Sequence, residues 1–181
     1  MVYMLLANGY EEAEAIVPCD ILRRGGVEVK LVGVTGKTAV SARNIRLDTD
    51  LLLEELDSSD LEMLVLPGGL DSTNTRAANE TVQSLIRDTL EKGKWLAAIC
   101  AAPTVFGGMG ILEGRKAVCY PGMEEGLKGA CPCKGEQVVV DGKIITGEGP
   151  GSAYEFGYQL LETLKGKEVL EQVKHGMHFH H

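Results

Sequence analysis

The stretch WLAAICAAPTVFGG, residues 95–108, decides how this chain is read. Residues 95–99 form an apolar run of strand length, and it stops at a cysteine. After Cys100 come Ala101 and Ala102, small enough for a tight turn. Pro103 follows and suits the first turn of a helix, where its missing N–H costs nothing. A strand, a sharp turn and a helix therefore meet at one thiol. The G-x-S-x-G elbow of hydrolases uses small neighbours for the same steric reason. On this pattern alone Cys100 reads equally well as a small buried hydrophobe closing a strand or as a nucleophile held at a corner.

The pattern repeats outward from that corner. VYMLLA (2–7) is a buried strand ending at Asn8-Gly9, and LEMLVLPGG (61–69) is another running into a glycine turn. EEAEAIVPCDILRRGG carries acids at its start and Arg23-Arg24 before paired glycines, the charge order and stop signal of a helix. Pro18 is predicted to interrupt and bend that helix. VEVKLVGV (27–34) and KAVCYP (116–121) read as strands, and QVVVDGKIITG (137–147) as a strand pair around Asp141-Gly142. NETVQSLIRDTLEKG (79–93) places Val82, Leu85, Ile86 and Leu90 on one helical face, and GSAYEFGYQLLETLKG and KEVLEQVKH read as closing helices. Strand–helix alternation of this kind predicts an α/β fold with a mostly parallel sheet covered on both faces. It forms a single domain over residues 1–174, with a His-rich tail at 175–181. In open parallel sheets ligands bind outside the carboxyl ends of the strands. If the strands are neighbours, Asn8-Gly9, Pro67-Gly68-Gly69 and Cys100 share one rim.

Composition narrows the chemistry. The 181 residues are 44% hydrophobic and 24% charged with a formal net charge of −8, which disfavours nucleic acid and anionic membrane surfaces as partners. No apolar run approaches the roughly 20 residues of a membrane span, and the acidic N-terminus does not read as a signal peptide; a cytoplasmic location is the expectation. Five unevenly spaced cysteines do not form a disulfide framework. All four histidines (175, 178, 180 and 181) lie in the last seven residues, so a histidine base would have to come from the tail or from another subunit. Cys119, Cys131, Cys133 and a tail histidine lack the spacing of a zinc site, and neither metal nor cofactor is expected.

Placed at a helix N-terminus, the Cys100 thiol would feel the positive dipole end and have its pKa lowered toward neutrality. The amides of Gly69 and Ala101 could point at the same spot as an oxyanion hole, and glycine at 68 and 69 lets backbone approach unobstructed. Three glutamates (11, 12 and 14) open the first helix, and dipole-favoured solvation accounts for one or two of them.

LANGYEEAEAIVPCDILRRGGVEV, VLPGG, AAICAAPTV and GEGPGSAYEF resemble, in that order, the motifs of the ThiJ/PfpI superfamily, in its Parkinsonism-associated deglycase (DJ-one) branch. The resemblance spans nearly the whole chain. It implies a flavodoxin-like three-layer α/β homodimer with a reactive cysteine at Cys100 and a carboxylic acid from the first helix at Glu14, hydrogen-bonded to the sulfur. The family's backbone donors fall on Gly69 and Ala101, while Arg24 and Arg43 match arginines near the dimer interface and the pocket. Two departures matter. Ala101 stands where the protease-like branch has histidine, and Tyr120 precedes Pro121 where deglycase-type proteins often have one. A histidine-dependent protease or amidase is therefore disfavoured. What remains is a cofactor-free glyoxalase- or deglycase-like enzyme acting on a small carbonyl substrate such as methylglyoxal, or a non-enzymatic oxidative-stress sensor working through a Cys100 sulfinate.

Overall fold

The structure, a computed structural model, describes residues 1–178. Its strands and helices follow in the order β1 (Val2–Leu6), α1 (Glu12–Arg24), β2 (Val29–Gly33), β3 (Thr38–Val40), β4 (Arg46–Asp48), β5 (Leu51–Leu52), β6 (Met63–Leu66), α2 (Leu70–Ala78) and α3 (Glu80–Glu91). The second half runs β7 (Trp95–Ile99), α4 (Pro103–Gly108), β8 (Lys116–Ala117), β9 (Cys131–Pro132), β10 (Val138–Asp141), β11 (Ile144–Gly147), α5 (Ala153–Lys165) and α6 (Lys167–Gly176). Seven strands form one sheet in the order β10-β11-β7-β6-β1-β2-β5, parallel throughout except for the β10–β11 hairpin at one edge.

Alternation along the central strands explains the layers. Val2, Met4 and Leu6 of β1, Met63 and Val65 of β6, and Ala97 and Ile99 of β7 pack into one core with residues of α1, α5 and α6. The intervening Tyr3, Leu5, Leu64, Leu66, Leu96 and Ala98 pack into a second core with α3 and α4. Both faces are buried, which is why these strands read as continuous apolar runs. The expected mostly parallel sheet with helices on both sides is what the chain forms.

Four features differ from the sequence reading. Residues 38–48 form a small ribbon, β3 against β4, whose three-residue strands are too short to show a period. The expected strand at KAVCYP is reduced to Lys116–Ala117, paired in parallel with Cys131–Pro132. α1 continues through Pro18, whose missing N–H falls against the carbonyl of Glu14 one turn earlier. α6 takes in His175, one residue past the expected end of the domain; His180 and His181 lie outside the described residues.

The order β7-β6-β1 makes three strands neighbours at the sheet centre, with Leu66 level with Ala98 and Val65 level with Met4 through the shared register. Their carboxyl ends therefore open onto one rim. Gly9, Gly68-Gly69 and Cys100 sit there together.

Candidate active site

Cys100 occupies the turn between β7 and α4 with φ 66°, in the left-handed region that side chains other than glycine rarely adopt. Holding it there costs on the order of 1–3 kcal/mol, so its surroundings must fix it. They do so from both sides. Its N–H donates to the Gly147 carbonyl (3.0 Å), and its carbonyl accepts from the Tyr120 N–H (2.8 Å). The strained turn lifts the side chain off the sheet, and it is partly exposed rather than sealed in the core.

The glycine turn presses against this corner. A Cβ on Gly68 would stand 2.3 Å from Glu14 Oε2 and 2.6 Å from Cys100 Cβ. A Cβ on Gly69, which has φ 87°, would stand 2.1 Å from the Gly9 carbonyl oxygen. Neither position admits a side chain. The backbone amides of Gly69 and Ala101 lie near the Cys100 thiol, and each draws its pKa down.

Glu14 is fully buried on α1 behind the thiol. Its Oε2 accepts a 2.7 Å bond from the Gly68 N–H, while Oε1 is buried without a well-formed partner. Burial raises its pKa to about 7; the Cys100 thiol, the Gly68 amide and Arg76 pull it down, and the charge of Glu11 pushes it up. The thiol behaves contrary to the expectation from a helix N-terminus. Burial raises its pKa to about 12, and the charge and hydrogen bond of Glu14 add to the rise against the amides of Gly69 and Ala101. α4 is six residues long and lies against a carboxylate, so its dipole does not win. Two coupled acids thus share one site, and burial holds the proton of each more tightly than water would.

A cleft of about 570 Å³ opens over the sulfur between Gly9, Gly69, Ala101, Tyr120 and Pro150. Arg43 stands at its mouth, 4.0 Å from Glu11. Glu12 sets that position by accepting from the Ser41 hydroxyl and, at 2.6 Å, from the Arg43 N–H. The three glutamates thus divide: Glu11 lines the cleft, Glu12 holds the ribbon loop, and Glu14 lies under the sulfur. Tyr120 lines the cleft with an exposed ring. Arg24 does not join them. It pairs with Asp20 at 2.8 Å on the far end of α1, away from the cleft lining. Arg76, which sequence reasoning passed over, is buried beneath the glycine turn. Nothing in LDSTNTRAA marks it out.

The other thiols are apart from this centre. Cys19 and Cys119 are buried, with burial pushing Cys119 up to about 11, while Cys131 is exposed and Cys133 half-buried. Among the described residues no three histidine, cysteine or acidic side chains converge as a metal site.

Residues 1–163 match the model of the DJ-1/PfpI family. The protein dj-1beta of Drosophila melanogaster is 38% identical over 96% of this chain and 94% of its own length. The crystal structure of Drosophila DJ-1beta superposes with a TM-score of 0.95, at 36% identity over 99% of this chain and 98% of that one. A glutathione-independent glyoxalase of Caenorhabditis elegans is 31% identical over 87% of this chain and 84% of its own. A deglycase of Pyrococcus horikoshii is 30% identical over 91% of this chain and 99% of its own. The structure of Toxoplasma gondii DJ-1, described as oxidized, has a TM-score of 0.93 at 30% identity, covering 99% and 98% of the two chains.

Proposed function

The chain belongs to the DJ-1/PfpI family, and from that premise we propose that it is a cysteine-dependent, cofactor-free enzyme acting on small reactive carbonyls, of the glyoxalase or deglycase kind. One observation carries the reading: a partly exposed thiol on a strained turn, with two amide donors on one side and a buried carboxyl on the other. Glu14 carboxylate takes the thiol proton as Cys100 Sγ bonds to the aldehyde carbon of a dicarbonyl such as methylglyoxal. The oxygen of that carbon becomes an alkoxide, stabilised by the Gly69 and Ala101 amides. Glu14 returns the thiol proton to the alkoxide, which gives the neutral hemithioacetal and restores the carboxylate. The carboxylate then takes the C–H proton from the same carbon and delivers it to the neighbouring one, while the hydroxyl proton passes from the first oxygen to the second. The product of this internal redox shift is a hydroxyacyl thioester. Water cleaves it, releasing the hydroxy acid and restoring the thiol. Arg43 at the mouth orients the substrate, and Tyr120 closes one wall.

A standing thiolate is scarce at neutral pH when Glu14 holds the charge, which favours chemistry in which the proton departs during attack. The oxidized Toxoplasma relative supports a second reading, in which Cys100 takes up oxygen from peroxide and serves as a sensor. We also assign a homodimer, supported by exposed Ile16 on an apolar groove lined by Cys19, Leu31 and Leu47. We place it in the cytoplasm, where five unpaired thiols stay reduced. Incubation with methylglyoxal, followed by proton NMR for lactate, tests the enzyme. Wild type is expected to turn over, and Cys100→Ser and Glu14→Gln to fail. Turnover surviving in Cys100→Ser refutes it, as does an inert wild type whose Cys100 gains two oxygens from peroxide.

A further inference from the structure

A second compartment, of about 410 Å³, adjoins the cleft over Cys100, and Tyr120 and Pro150 line both. Its other walls include Pro121, Gln137, Glu148 and Ser152. The backbone of Cys100 fixes where this compartment lies. The Cys100 N–H donates to the Gly147 carbonyl, and Glu148 is the next residue along that chain. The Cys100 carbonyl accepts in turn from the Tyr120 N–H. The Tyr120 ring rests on the chain just past Glu148, since a Cβ on Gly149 would stand 3.3 Å from Tyr120 Cδ2. The Glu148 N–H is itself tied to the Gln137 carbonyl (3.0 Å). An aromatic ring and a carboxylate are thus carried on two short segments, each bonded to the residue that bears the thiol.

Glu148 differs from the acids around it. Glu11 faces Arg43 at 4.0 Å, Glu12 accepts from the Ser41 hydroxyl and the Arg43 N–H, and Glu14 accepts from the Gly68 N–H. Glu124, which lines an adjoining hollow with Glu148, pairs with Lys134 at 3.5 Å and accepts from the Gly122 N–H (3.0 Å). Asp71 lines the cleft unpaired, but it is exposed and keeps its water. Glu148 is half-buried, and among the described residues its carboxylate has neither an ion pair nor a hydrogen bond. Partial burial strips water from a carboxylate, and a cation that donates to it makes good the loss. Tyr120, 47% exposed, offers a cation its aromatic ring. Pro121 and Pro150 offer apolar surface to an alkyl stem. An anion entering the same compartment would meet Glu148 as a like charge.

We infer that Tyr120 and Glu148 form a cation subsite beside the Cys100 sulfur, which selects carbonyl compounds bearing an ammonium or guanidinium group over neutral and acidic ones. This rests on the reading of Cys100 as the nucleophile of the cleft and deepens it by naming what the rest of the substrate carries. The charged group lies between ring and carboxylate, and the reacting carbon reaches the sulfur past Tyr120.

The test uses three methanethiosulfonates: the methyl reagent is neutral, the trimethylammonioethyl reagent a cation and the sulfonatoethyl reagent an anion. With each, the Cys100 sulfur loses its proton, displaces methanesulfinate and forms a mixed disulfide. Rates at Cys100 are read by peptide mass spectrometry, and dividing by the methyl rate removes the reactivity of the thiol itself. At about 0.15 M salt the bare field of a charge is screened over about 8 Å. Glu148→Gln is therefore expected to lower the cation's relative rate about fivefold and to raise the anion's less than about twofold. Tyr120→Leu should lower the cation's relative rate about twofold and leave the anion's unmoved. Glu148→Lys should make the anion the faster of the two. An unmoved cation rate in Glu148→Gln overturns the proposal. Equal and opposite changes for cation and anion overturn it too, since they mean a field without a site. If all three reagents modify Cys100 no faster than exposed Cys131, the underlying reading fails and the subsite with it. A reactive Cys100 with unmoved ratios sinks the subsite alone.

Discussion

Replacing Glu14 by Gln should make the protein more stable at alkaline pH while disabling its site. In the unfolded chain this carboxyl titrates near 4.5, and in the native site, pushed chiefly by burial, at about 7. The folded chain therefore holds the proton more tightly. The group favours folding fully below about pH 4.5, and that advantage is lost as pH rises through 7. Over the whole interval the loss amounts to roughly 3 kcal/mol. Gln keeps the carbonyl oxygen that accepts from the Gly68 N–H and never ionises. Three other strongly shifted groups stay out of the window: burial raises Cys100 to about 12 and Cys119 to about 11, and lowers Arg76 to about 9. Urea unfolding of both proteins between about pH 5 and 8 reads the difference directly. It should be small at the acid end and reach roughly 3 kcal/mol in favour of Glu14→Gln at the alkaline end, or about 6–12 °C in Tm. Stability curves that run parallel across this range, or a variant weaker at pH 8, refute the account of Glu14 as a carboxyl ionising at the expense of the fold.

Gly68→Ala should cost about 1–3 kcal/mol and slow Cys100 alkylation, because the new methyl would meet Glu14 Oε2 and Cys100 Cβ well inside contact distance; chemical denaturation and mass-resolved alkylation check both. Asn79→Ala should lose about 1 kcal/mol by removing the side chain that accepts from the Val82 N–H at the start of α3, and should leave Cys100 alkylation as in wild type.

The rim was legible because its parts are local. β1, β6 and β7 each end in a turn marked by glycine or by small residues, and their apolar runs follow from burial on both faces. α2 was not legible. Its buried face consists of Ser72, Thr73 and Arg76, which carry no hydrophobic period, so the helix and its buried cation went unread together. The acids opening α1 look alike in sequence, yet Glu14 falls on the stripe continued by Pro18, Ile21 and Leu22, all buried, whereas Glu12 does not and Glu11, the extended N-cap, precedes the first helical turn. That helical spacing was available as a signal. Arg24 sits where the charge order of the helix end predicts, paired with Asp20 one turn back and away from the cleft.

The expected acidity of the thiol failed for a reason that bears on the chemistry. A strand-to-helix turn suggests a free thiolate only if the helix end is the strongest field present. Here burial and a carboxyl in the same site outweigh a short helix and two amides, so the site holds one negative charge between two acids. On the proposed reading, the nucleophile would be created during attack, as the proton passes from sulfur to carboxylate. An aldehyde carbon that bonds to sulfur at that instant can use such a site.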